Sequence, residues 1–171
     1  MVGKLLNLSS FIQVFKLFLP ALIANGSPVL LKEGYPIDFR KKFIDGRRIL
    51  GDGKTFEGFA LGMFFGFYIG IVEAIVFQNI LYIKTGFLSS LGALLGDIAG
   101  SFIKRRIGLK RGERAPLLDQ LDFIYGAAIL LVIAKVEFDL LSFLIFQIVV
   151  IILHVLTNRI AYYLKLKPVP W

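Results

Sequence analysis

Five long apolar runs alternate with charged loops along this chain. They extend roughly over Leu5 to Ala24, Phe56 to Tyr82, Phe87 to Ile103, Leu117 to Ala134 and Leu140 to Tyr162. Runs of about twenty apolar residues are long enough to cross a bilayer as helices. The pattern predicts an all-α integral membrane protein, a bundle of five transmembrane helices forming one domain over residues 1–171. Two long polar loops interrupt it, Ser27 to Thr55 and Lys104 to Pro116. Pro20, Asn25, Gly26 and Pro28 are expected to stop the first helix, because Pro and Gly break helical hydrogen bonding. Lys84-Thr85-Gly86 reads as a turn before the third span, and Lys135 to Asp139 as a turn before the fifth.

Inside the spans, glycines recur every four residues, at 58, 62, 66 and 70 and again at 92, 96 and 100. Small residues at this spacing share a helix face and let membrane helices approach closely. The second and third helices are expected to pack through these ridges; a homodimer interface is the competing use. Lys16, Glu73 and His154 fall within apolar runs. Lys16 is expected to snorkel or to mark a slightly shifted span, Glu73 to be a protonated, hydrogen-bonded structural residue or a functional carboxylate, and His154 to be packed and hydrogen-bonded.

Charge fixes the predicted orientation. The Ser27–Thr55 loop carries seven Lys and Arg, the Lys104–Pro116 loop six and the C-terminal end three, against Lys4, Lys84 and Lys135 on the other side. The excess of cations marks the cytoplasmic side. Both loops and the C-terminus are therefore expected in the cytoplasm, with the N-terminus outside. Tyr162, Tyr163 and Trp171 suit the interface. The chain is 57% hydrophobic with net charge +8. The positive-inside pattern accounts for that charge, so nucleic acid is not expected as a partner. Without cysteine, disulfides and thiolate metal sites are excluded. Lys4 is the only early charge and no small-residue cleavage site closes the first run, so no cleavable signal peptide is expected.

Candidate chemistry concentrates between Gly96 and Phe123. Asp97, Ser101 and Lys104 fall at i, i+4 and i+7 and share a helix face. Asp119 and Asp122, at i and i+3, share a face of the next helix. Carboxylate and phosphate oxygens together are what Mg²⁺ prefers, and paired metals stabilise in-line phosphoryl displacement. The alternative is a set of salt bridges stapling helix ends. In the first loop, Gly51-Asp52-Gly53-Lys54-Thr55 sets glycines beside a lysine and a hydroxyl, a composition that lets backbone amides approach phosphate oxygens. It is not a Walker A motif, because the spacing and preceding strand are missing.

The order Asp97…Ser101-x-x-Lys104-Arg105-x4-Lys110…Asp119-x-x-Asp122 resembles the signature of the CDP-diglyceride synthetases, the phosphatidate cytidylyltransferases. The small size, the five spans and the segments Pro20-Ala-x-x-Ala-Asn25-Gly-Ser-Pro28 and Gly51-Asp-Gly-Lys-Thr-Phe-Glu-Gly-Phe59 look closer to the archaeal branch, CDP-archaeol synthase. Arg111 stands where the bacterial signature has aspartate, Gln120 where arginine is usual, and a His-Gly-Gly element is absent. The resemblance implies a multi-pass enzyme of the cell membrane with its site facing the cytoplasm. It would join CTP to an isoprenoid glycerol-phosphate lipid and release pyrophosphate. It further implies Mg²⁺ on Asp97, Asp119 and Asp122, with Lys104 also catalytic. Ser101, Arg105 and Lys110, with Asn25, Gly53, Lys54 and Thr55, would hold nucleotide or lipid phosphate. A CTP-dependent polyprenol kinase, which releases CDP, is the nearest rival. A CDP-alcohol phosphotransferase lacks its paired downstream aspartates here. A small ion or metabolite transporter would use Lys16, Glu73 and Asp97 along one pathway.

Overall fold

The computed structural model describes residues 7–31, 33–110, 112–167 and 169–170. Lys4, Lys32, Arg111 and Trp171, which enter the charge and interface readings above, lie outside the described residues. The helices are α1 Leu8–Gly26, α2 Phe56–Val76, α3 Leu81–Arg106, α4 Leu118–Ile133 and α5 Leu140–Tyr163. Short polar side chains cap three of them: Asn7 Oδ1 accepts from the Ser9 N–H, Thr55 Oγ1 from the Gly58 N–H and Asp139 Oδ2 from the Ser142 N–H. Among the described residues four helices are long and apolar enough to cross a membrane; α1, counted with the 3-10 turn Ser27–Leu30, is one. α4, with 16 residues, is not among them. Their outer faces carry exposed Phe64, Ile75, Ile129, Ile133, Ile148 and Ile152, the composition of a lipid-facing surface.

Several boundaries differ from expectation, each for a packing reason. Pro20 does not stop α1 but lies buried inside it, and the helix runs on to Gly26. The break between α2 and α3 falls at residues 77–80, where Gln78 takes a positive φ of 51° and Asn79 Oδ1 accepts from the Leu81 N–H. Lys84-Thr85-Gly86 is therefore helical, within α3. Gly86 is needed there for close approach: a Cβ on it would lie 2.5 Å from Gly70 Cα.

The glycine ridges divide between neighbours. α2 meets α3 at Gly70 and Gly86, but Gly62 and Gly66 also face the Ala24 and Pro20 carbonyls of α1. Gly92 and Gly96 turn to Gly126 and Asp122 of α4, not to α2. These positions are occupied within the chain. A Cβ on Gly92 would sit 2.5 Å from the Gly126 carbonyl oxygen and 2.7 Å from Ala127 Cα, both backbone. Gly92→Val is expected to cost about 1–3 kcal/mol or to prevent folding, as overpacking of a rigid contact does. Thermal unfolding in detergent measures it; an unchanged midpoint would show that the α3–α4 contact yields freely.

The core lies where α1, α4 and α5 meet. Val14, Phe18, Phe123, Ile124, Leu131, Phe146 and Val150 are fully buried, and the Phe18 ring contacts Phe138, Phe143 and Phe146. α5 packs mainly through its first half: its buried residues run from Ser142 to Val150, and only Ala161 follows among the described residues. A cleft separates its second half from α1 and α3, and this cleft positions the site.

Candidate active site

The first loop folds back on itself before it reaches the helices. Pro36 bridges to Thr55 and Lys42 to Arg48, both antiparallel. Asp38 holds the turn from inside: it accepts from the Arg48 guanidinium and from the N–H groups of Arg40, Leu50 and Gly51. Burial alone would raise the pKa of this carboxyl. The Arg48 hydrogen bond and the three backbone donors outweigh burial and hold it well below the usual carboxylate range. The two loops are tied together by Arg106, which donates to Asp45 Oδ1 at 2.7 Å and to the Arg48 carbonyl, and by Arg47, which donates to the Arg106 carbonyl. The folded loop ends at Lys54, aimed at α3.

Lys54 Nζ donates to Asp97 Oδ2 at 2.5 Å. Lys104 Nζ, two turns along α3, donates to Asp119 Oδ1 at 2.7 Å. Asp119 Oδ2 also accepts from the Ala115 N–H, which fixes the entry to α4. Asp122 differs. Its Oδ1 accepts from the Phe123 N–H, while its Oδ2 is buried with no hydrogen-bond partner, packed on Gly100 of α3. Asp97, Lys54 and Lys104 lie near enough to act on it electrostatically. Salt-bridge staples are thus present at two of the three aspartates, made by lysine rather than arginine. No three His, Cys, Asp or Glu among the described residues stand close enough to form a ready metal cluster.

A cavity of about 1120 Å³ opens over these pairs. That is slightly above the usual range of small-molecule sites, about 300–1,000 Å³. Asn25, Gly53, Lys54, Thr55, Asp97, Lys104 and Asp119 line it, so seven of the sequence-predicted residues converge there. Ser101 and Asp122 sit behind it: Ser101 is buried, and Asp122 occupies the α3–α4 seam. Arg105 and Lys110 are not in its walls. Arg105 donates instead to the Lys110 carbonyl, closing the turn after α3. The cavity continues into an apolar throat between α1 and α5, walled by Phe15, Leu19, Leu22, Ile23, Val150 and Leu153.

A family model described as CarS-like, CDP-archaeol synthase, matches residues 5–171. The chain belongs to this family. Within it, the chain is 52% identical to the CDP-archaeol synthase of Sulfolobus acidocaldarius over 171 residues, all of both chains. It is 54% identical to the CDP-archaeol synthase of Sulfurisphaera tokodaii over 154 residues, 90% of this chain and 92% of that one. A solved structure of an intramembrane enzyme for archaeal membrane lipid biosynthesis superposes with a TM-score of 0.83 at 40% identity, covering 86% of this chain and 94% of that one. Membership of the CDP-archaeol synthase family and the apolar helices make this a multi-pass membrane protein.

Other polar residues separate by place. Glu73 is buried in the half of the bundle away from the cavity, and neither carboxylate oxygen has a hydrogen-bond partner, so the hydrogen-bonded reading does not hold. Lys16 reaches toward the same end, with its Nζ 3.5 Å from the Phe77 ring centroid. Gly70, one turn from Glu73, touches Tyr82 at the start of α3, and Tyr82 is about 22 Å along that helix from Asp97. Sequence reasoning missed the α5 wall of the cavity. His154 is hydrogen-bonded as expected, to Asn158, but with Thr157, Asn158 and Lys167 it lines the site. The available signal was the i, i+4 pairing of His154 and Asn158 in an otherwise apolar helix.

Proposed function

We propose that this protein is a CTP-dependent cytidylyltransferase that converts 2,3-bis-O-geranylgeranylglyceryl phosphate to CDP-archaeol and pyrophosphate. The observation that carries this reading is the joining of a lysine–carboxylate cavity to an apolar throat between helices. Such a site can admit a phosphate head from one side and keep two long chains in lipid on the other. An oxygen of the lipid phosphate attacks the α-phosphorus of CTP. A new P–O bond forms there, the bond to the β-phosphate bridge breaks, and pyrophosphate leaves with that electron pair. The nucleophile is already an anion, so the protein has only to position the reactants and neutralise charge.

Lys54 and Lys104 each have a flexible ammonium that can turn from a carboxylate to a phosphate oxygen. Asn25, Thr55 and the Gly53 backbone stand beside Lys54 and suit the rest of the nucleotide. The donor set fits Mg²⁺: oxygen ligands alone, one buried Asp122 oxygen without a partner, and two aspartates whose partners are displaceable lysines. Asp97, Asp119 and Asp122, which do not stand as a ready cluster, would hold it once the ion displaced the lysines. Bound there, Mg²⁺ would neutralise triphosphate charge and favour departure of pyrophosphate.

Both loops and Lys167 lie at one end of the bundle, because all contribute to or brace the same cavity. That end is assigned to the cytoplasm of the cell membrane, where CTP is made, with the N-terminus outside. α3 ends and α5 ends at the cavity, so α4 must return the chain to the far side despite its length. This supports five crossings. Nothing in the proposal requires a second copy of the chain.

The test is incubation of the purified protein with CTP, Mg²⁺ and the lipid phosphate. CDP-lipid and pyrophosphate are expected, and EDTA should abolish both. Release of CDP with a phosphorylated lipid would replace this reading with a kinase; full activity in EDTA would remove the metal.

A further inference from the structure

The α5 wall carries a polar string that the nucleotide chemistry leaves unused. Lys167 Nζ donates to Asn158 Oδ1 at 2.7 Å, and Asn158 Nδ2 lies 3.1 Å from a ring nitrogen of His154. His154 and Asn158 are four residues apart, hence on one face of α5, and Lys167 reaches back from the segment after the helix. All three line the cavity, across from Asp97 and Asp119. Burial, with Lys54 and Lys104 nearby, pushes the Lys167 ammonium pKa down, while Asp119 and Asp97 act the other way. A partly desolvated ammonium of this kind gains strongly from an incoming anion.

The two walls suit different anions. On the opposite wall Lys54 and Lys104 are already paired with Asp97 and Asp119, so a phosphate there must displace a carboxylate or bring a cation of its own. Among the described residues that line it, the α5 wall presents an ammonium, an amide and an imidazole. It is also continuous with the throat: Val150, one turn above His154 and about 6 Å along the helix, walls the apolar passage with Leu153. A molecule with a phosphate at one end and hydrocarbon at the other fits this order of surfaces. CTP has no hydrocarbon to place there.

We propose that His154, Asn158 and Lys167 form the seat of the lipid phosphate, separate from the seat of the nucleotide phosphates, and hold the attacking oxyanion while the chains lie in the α1–α5 throat. This rests on the reading that the substrate is a lipid phosphate monoester. The residues are binding and positioning groups; they exchange no proton with the reacting atoms.

The experiment uses the full-length protein in mixed micelles with wild type, Lys167→Gln, Asn158→Ala, Lys167→Arg and, as an exposed control, Lys165→Gln. Initial rates give separate KM values for CTP and for the lipid phosphate. Binding without CTP is measured for the lipid phosphate and for the matching lipid alcohol. Lys167→Gln is expected to raise the KM for lipid phosphate and weaken its binding by about tenfold to a hundredfold, the range for one lost charge-assisted hydrogen bond. The KM for CTP and the binding of the alcohol should not move. Lys167→Arg should recover most of the loss, and Lys165→Gln should behave as wild type. A parallel rise in the KM for CTP would reassign the wall to nucleotide or pyrophosphate, and no change in either would make it structural; each overturns the proposal. Should Lys167→Gln fail to fold, Asn158→Ala gives the same readout. Absence of CDP-lipid in the wild type would sink the proposed activity alone, because the preference for lipid phosphate over alcohol still decides whether the seat exists.

Discussion

Asp122→Asn is expected to abolish CDP-lipid formation while leaving the protein as stable as the wild type or more so. Asp122 lies in the seam between α3 and α4, where its buried Oδ2 has no hydrogen-bond partner. Burying a charge without a partner is costly, and a neutral amide of the same shape costs less. Removing the charge therefore favours the fold. If that oxygen holds a cation beneath the triphosphate, the same change should lower the rate by about a thousandfold or more, as loss of a group that neutralises developing charge does. Product formation and the thermal midpoint, measured on one preparation, separate the roles. Retained activity removes Asp122 from the metal site. Lost activity together with a collapsed midpoint makes it a structural residue of the seam.

Lys54→Met should come next in effect. Lys54 is the point where the folded first loop meets α3, through Asp97. Loss of its charge is expected to raise the KM for CTP and reduce kcat/KM by about a hundredfold, the upper range for a charged hydrogen bond. Lys54→Arg should recover little, because a planar fork does not replace a compact point charge in a tight site. The cycle with Asp97→Asn should be strongly non-additive, since the two side chains are partners. An unchanged KM for CTP would confine Lys54 to stapling the loop.

The helices were legible because hydrophobicity over about twenty residues is an additive, local quantity. All five apolar runs became helices, and α4 and α5 kept their limits to within a residue or two. The ends were harder where the deciding contact is distant. Gly86 looked like part of a turn; it is helical because Gly70 approaches from α2. Pro20 looked like a helix stop, yet it is buried within α1, where its carbonyl faces Gly66. Gly92 and Gly96 could have served any neighbour, and only the three-dimensional packing assigns them to α4.

The site was legible in part, on the same principle. Asp97, Lys104 and Asp119 are joined by helical periodicity and a short loop, so spacing placed them together. The pairing of Lys54 with Asp97 spans 43 residues and depends on how Asp38 folds the intervening loop. Lys167 reaches the cavity only because α5 returns to the cavity end of the bundle. Arg105 and Lys110 belong to the motif, but the Arg105 guanidinium donates to the Lys110 carbonyl and the Lys110 N–H donates to the Glu113 carboxylate.

α5 grips the bundle through Phe143, Phe146 and Val150 and stands clear below them. If the lipid phosphate enters between α1 and α5, as proposed, it arrives by diffusion in a plane. What governs supply is then the number of lipid phosphates per unit area of the membrane, not per volume of the cell. Diluting the membrane with inert lipid would starve the enzyme even at constant total substrate, and the product would be released into the same membrane.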